Sequence, residues 1–159
     1  MIHADSRSKP AHTPEAEPIV DASTEQLEED DTLLLDFGKI AQVAASSPDT
    51  IPVAVQNADS MEVILLAYTN RIALEHSLRT RTATFWSTSR NELWIKGAES
   101  GNTFDLVEVQ VNCEQNSLLY LVRPKAQGIC HTRNSEGHAR NCFYRRLDLE
   151  SGRLENLDP

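Results

Sequence analysis

The sequence predicts an α+β domain, mostly antiparallel β-sheet with one or two helices. Short runs of alternating apolar and polar residues dominate the central region, turn-forming residues separate them, and only one or two stretches carry a helical period. Residues 32–45 are apolar with a spacing closer to a helix than a strand, although Gly38 interrupts them. Ile51–Gln56 and Glu62–Tyr68 flank the polar residues Asn57–Ser60 and read as a hairpin. Asn70 then offers an N-cap to a short helix with Leu74 and Leu78 on one face, and Arg79 and Arg81 suit its C-terminal end. Thr84–Ser87 and Leu93–Lys96 follow as strands across the turn at Arg90 and Asn91. Val107, Val109, Val111 and Cys113 alternate with polar residues, as a half-buried strand does, and Leu118–Val122 returns beside it.

The chain of 159 residues suits one domain with tails. Residues 1–30 hold eight acids against Arg7 and Lys9, so −6 of the formal charge of −9 resides there. With Pro10, Pro14 and Pro18 and few large apolar groups, this segment reads as a disordered acidic tail, dispensable for chemistry. The folded domain is assigned to 31–147 and a C-terminal tail to 148–159. Overall acidity argues against a nucleic-acid coat, and no stretch is long and apolar enough to span a bilayer. The amino terminus has no signal-like apolar segment, and three cysteines are too few and too odd a number for a disulfide scaffold. A reducing cytoplasm is the expected compartment.

Those three thiols admit two readings. Cys113, Cys130 and Cys142 are separated by 17 and 12 positions, with no C-x2-C knuckle, so they suit unrelated buried thiols or a dispersed metal site. As ligands they would leave one coordination position open, the catalytic rather than the structural pattern of zinc. A site of three thiolates is a weak Lewis acid, so a proton carrier would help. His131 is the nearest candidate in sequence, although an ordinary surface histidine is its plainer reading.

Several segments occur together in an order that adds specificity: Leu65–Asn70, Phe85–Ser87, Leu93–Gly97, Ser100–Asn102, Cys130–Thr132 and Cys142–Tyr144. From about Leu35 to Arg146 the set resembles the phosphoribosyl-AMP cyclohydrolase family, histidine-biosynthesis enzymes that open an adenine ring. The resemblance implies an intertwined homodimer whose zinc is held by Cys113 of one chain and Cys130 and Cys142 of the other. It also implies magnesium at an Asp-Cys-Asp-x-Asp segment, which falls on Asn112–Asn116 here. In this chain Asn112 and Asn116 replace two carboxylates and Glu114 the third. Amide oxygens carry no net charge, so magnesium affinity should fall, with Glu114 as its remaining anchor. Ala98, Arg133 and a longer 131–142 loop also depart from the family pattern.

The implied reaction adds water to C6 of the purine of N1-(5-phosphoribosyl)-AMP and breaks the N1–C6 bond. His131 would carry a proton, and Arg90, Lys96, Gly97, Ser100 and Gly101 would bind the two phosphates. A solvated hairpin surface is the plainer reading of Arg90 and Lys96, and core packing that of Trp86 and Trp94. Two alternatives remain: a zinc-stapled dimer without catalysis, and another purine-type amidine hydrolase. Zinc nucleobase deaminases carry H-x-E and P-C-x-x-C, which this chain lacks.

Overall fold

A computed structural model describes residues 23–126 and 129–159. The first 22 residues of the expected acidic tail lie outside the described residues. Its inner end does not behave as a tail. Thr24–Glu29 form helix α1, opened by a capping box in which the Ser23 side chain accepts from the Gln26 amide and Gln26 accepts from the Ser23 amide. Ser23-x-x-Gln26 satisfies two free amides of the first turn, and the acids that follow find basic partners elsewhere in the fold.

Helix α2 covers Lys39–Ser46. The helical reading of 32–45 therefore holds only after Gly38, which occupies the N-cap, while Leu33–Leu35 have no helical backbone. Strands β1 (Ile51–Asn57) and β2 (Val63–Thr69) form the expected antiparallel hairpin. Asn57 shapes its turn, since Oδ1 accepts from the amides of Asp59 and Ser60 at 2.9 and 3.3 Å. Helix α3 (Arg71–Thr80) begins where Asn70 Oδ1 accepts from the Ala73 amide at 3.0 Å, and it ends at Arg81 with φ of +57°. Removing that cap in Asn70→Ala should cost about 1 kcal/mol, read as a lowered denaturation midpoint with an unchanged slope.

Strands β3 (Thr84–Ser87) and β4 (Glu92–Ile95) pair as a small separate sheet. Ser77, wholly buried on α3, donates to the Thr84 carbonyl and accepts from the Thr84 amide, which fastens the helix to β3. Strands β5 (Phe104–Val111) and β6 (Leu118–Pro124) complete a four-stranded sheet of order β2-β1-β6-β5. Its ladders are antiparallel except β1–β6, which is parallel. The sheet is thus antiparallel-dominated, and among the described residues three helices accompany it rather than one or two.

The core lies over this sheet. Val53 and Val55 of β1, Ile64 of β2 and Tyr120 and Val122 of β6 are all within 1% of full burial, together with Phe85 of β3. Alternation in β5 fails at a register irregularity between Leu106 and Glu108. Phe104 and Leu106 are buried, Val109 is half-buried, and Val107, Val111 and Cys113 are exposed. A bulge inserts one residue and changes which side chains face inward, so a strict period of two misassigns the face.

The segment 148–159 is not a tail either. β7 (Arg145–Leu147) and β8 (Leu154–Asn156) form a hairpin, and Leu154 N donates to Asp31 O at 2.8 Å. Among the described residues no helix is long and apolar enough to cross a membrane.

Candidate metal and nucleotide site

The loop between Cys130 and Cys142 folds back on itself. Ile129 N and Cys130 N both donate to the Arg140 carbonyl, at 2.8 and 2.7 Å, and Arg140 N returns a bond to Thr132 O. At its tip Asn134 Oδ1 accepts from the amides of Glu136 and His138. The inserted residues thus build a closed turn that does not push the thiols apart. Cys142 N donates to Ile64 O at 3.3 Å, which ties this thiol to β2. Both Cys130 and Cys142 are partly buried.

Cys142 feels its surroundings strongly. Burial pushes its thiol up to about 11, the neighbouring Cys130 adds to the shift, and Lys96 acts against it. A metal-free protomer therefore keeps this proton at neutral pH, and a cation must displace it. Lys96, at the end of β4, also lies 5.6 Å from the Trp94 ring centroid.

His131 Nδ1 stands 3.8 Å from Cys130 Sγ, and its Nε2 is 2.5 Å from Glu28 Oε1 of α1. Beside it, Thr132 Oγ1 is buried without a hydrogen-bond partner among the described residues. Cys113 does not join this group. It is exposed beyond the end of β5, and among the described residues no three of His, Cys, Asp and Glu converge as a metal site.

Of the nucleotide-binding candidates, Arg90, Gly97 and Ser100 line one open depression of about 420 Å³ together with Trp94. Lys96 and Gly101 are not in its lining. Arg90 is paired with Glu92 at 3.1 Å on the surface. Trp94 packs on Phe85 with ring centroids 5.6 Å apart, and Trp86 donates to Asn91 Oδ1 at 3.1 Å. One side of Trp94 thus belongs to the core and another to the depression.

The turn at Asn112–Asn116 is closed by its own amides. Asn112 Oδ1 accepts from the backbone amides of Asn116 and Ser117, at 2.9 and 3.0 Å. Asn112 Nδ2 donates to Asn116 Oδ1, and Asn116 Nδ2 donates to Glu114 Oε2, at 2.8 and 2.9 Å. Each amide oxygen and one Glu114 oxygen already holds a hydrogen. This donor set does not fit magnesium, which requires oxygens turned outward to a hard cation.

Residues 65–144 match the family model described as phosphoribosyl-AMP cyclohydrolase. A phosphoribosyl-AMP cyclohydrolase of Halobacterium salinarum is 41% identical over 125 residues, covering 79% of this chain and 92% of that protein. The chain belongs to this family. A second cyclohydrolase, from Nitrosopumilus maritimus, is 45% identical over 97 residues, 61% of this chain and 84% of its own length. The histidine biosynthesis bifunctional protein HisIE of Thermus thermophilus is 47% identical over 97 residues, which span 61% of this chain and 42% of that protein. Membership makes the chain a hydrolase by family and places the loop with Cys130, His131 and Cys142 inside the matched segment.

Three residues around this candidate site escape a reading of the sequence. Arg140 is 4% exposed, bonded to Glu29 at 2.7 Å and to the Asp158 carbonyl at 2.8 Å, and stacked 4.6 Å from the Tyr144 ring centroid. Glu28 and Glu29 were hidden in an acidic run. The signal that could have found them is the Ser23-x-x-Gln26 capping box, which announces a helix at that point.

Proposed function

We propose that the protein is a zinc-dependent cyclohydrolase that opens the purine ring of N1-(5-phosphoribosyl)-AMP in histidine biosynthesis, working as an intertwined homodimer. Family membership carries this reading. Within one chain two soft thiol donors stand together and the third is exposed elsewhere. That set suits zinc once a second copy supplies Cys113 to Cys130 and Cys142. Exposed Leu66, Ile72, Val111 and Phe143, each more than half accessible, support a protein-covered surface. Three free thiols suit a reducing cytoplasm.

Zinc, when bound, would supply Lewis acidity that makes water reactive near neutral pH. The chain's own residues do the rest. Arg90 and the turn from Gly97 to Gly101 bind phosphate through a guanidinium and backbone amides. Lys96 brings positive charge between that turn and the thiols. His131 moves the proton: water oxygen bonds to C6, the N1–C6 bond breaks, and N1 leaves as the protonated nitrogen. The product keeps its exocyclic amine as a carboxamide.

An ultraviolet assay of ring opening on phosphoribosyl-AMP tests the function directly. Zinc-loaded protein should turn over; a zinc-loaded dimer without turnover would instead be the non-catalytic staple. The same assay addresses magnesium. Since the Asn112–Asn116 amides already fill the turn, turnover should be flat against added magnesium, and Glu114→Gln should give an overlapping curve. A magnesium response lost in Glu114→Gln would restore the cation to this turn.

A further inference from the structure

We propose that Glu28, on helix α1, is a positioning residue that fixes the orientation and tautomer of His131. This inference rests on the reading of His131 as the proton carrier. The imidazole needs such support, because its side chain is 77% exposed and therefore has little packing to hold it. Its polar contacts among the described residues are Glu28 Oε1 at 2.5 Å from Nε2 and Cys130 Sγ at 3.8 Å from Nδ1. A carboxylate only accepts, so Nε2 presents its hydrogen to Glu28. Nδ1 is then turned toward Cys130, on the side of the thiols. A carboxylate behind a histidine performs this role at many metal sites.

Glu28 is able to do this because α1 is itself anchored. The capping box sets its first turn. Glu29 pairs with Arg140, whose side chain is 4% exposed, and the Tyr144 hydroxyl donates to the Glu28 carbonyl. Arg145 donates to the Leu27 carbonyl. The Glu28 side chain is only 27% exposed. An exposed pair between two long, free side chains contributes little, but here one partner sits on a fixed element. The acidic segment that composition marks as dispensable thus reaches the site with one of its carboxylates.

Nitrogen-15 histidine spectra and steady-state kinetics of the full zinc-loaded protein test this. At one fixed pH the wild-type His131 ring should show the hydrogen on Nε2. Glu28→Ala should give a mixture of tautomers, with kcat reduced about 10- to 100-fold and KM within about twofold. Glu28→Gln, which preserves the bulk of the side chain, should also weaken the tautomer preference, so loosening of α1 alone does not account for the result. Removing residues 1–22 should change nothing, whereas removing 1–30 should reproduce Glu28→Ala. A His131 ring without the Nε2 hydrogen in wild type, or one unchanged in Glu28→Ala, overturns the proposal. So does a truncation at Asp31 that leaves kcat unchanged or raises it. The nitrogen signals need no substrate, so they decide on Glu28 even if turnover of phosphoribosyl-AMP is absent.

Discussion

Mixing a Cys113→Ser protein with a Cys130→Ser protein should restore about a quarter of wild-type turnover when the chains are allowed to exchange, since random pairing would make half the dimers mixed and each would carry one whole site. Alone, each variant should lose more than about a hundredfold in activity, beyond what disturbing a residue behind a ligand costs. The recovery follows from the placement of the thiols. Cys130 and Cys142 are neighbours in one chain, and Cys113 is exposed away from any cluster. In a mixed dimer the Cys113 of the Cys130→Ser chain would meet the intact pair of the other chain. Native mass spectrometry should then find about one zinc in the mixed dimer and about two in wild type. A mixture as inactive as its parts, after exchange is verified by mass, would exclude ligation shared between chains. Cys142→Ser should complement Cys113→Ser in the same way and fail to complement Cys130→Ser, because those two thiols belong to one half-site.

The second large effect is expected at Gly97, where the backbone of the proposed phosphate-binding turn has no room. Its φ is +77°, and a Cβ placed there would stand 2.0 Å from the Asn102 carbonyl oxygen and 2.3 Å from its carbon. Backbone cannot move aside as a flexible side chain does, so the turn must open. Gly97→Ala should therefore destabilise by about 3 kcal/mol or more, combining a left-handed alanine with the clash. KM for the doubly phosphorylated substrate should rise at least about tenfold, as the amides lose their arrangement. Gly101 provides the comparison. It has the same φ of +77° and nothing within 4 Å of a Cβ, so Gly101→Ala should cost only about 1 kcal/mol. Equal melting temperatures for the two variants would show that the approach of Asn102 does not constrain the turn.

Elements whose signals are local were legible in the sequence. The Asn57 turn, the Asn70 cap and the β3–β4 hairpin depend on residues within a few positions of one another. The parallel pairing of β1 with β6 was not, because Val53 and Leu118 meet only through the fold of everything between them. The bulge in β5 was invisible for a related reason: a valine at 107 fits a regular strand and an irregular one equally well. At the site, ordered motifs named the three cysteines and His131, but not what surrounds them. Glu28, Glu29 and Arg140 look like solvated charges until α1 is docked, since pairing across more than a hundred residues leaves no trace in composition. The replacement of two acids by amides at Asn112 and Asn116 was legible, but the bonds by which those amides close the turn on themselves were not, since they depend on the turn's own geometry.

The backbone bonds from Ile129 and Cys130 to the Arg140 carbonyl bear on the order in which such a dimer is built. They join the two halves of the loop within a single chain, so the two thiols face each other before any second copy arrives. Closing a ring through a metal normally loses the freedom of the intervening chain, and here folding has already removed it. With zinc held as proposed, a newly made chain would bind the ion through Cys130 and Cys142 before meeting its partner. The second copy's Cys113 would complete the ligand set, and the ion's residence time would become a property of the association between chains. Dilution would accordingly release chains that still carry metal, and isotopic zinc exchange would slow as protein concentration rises.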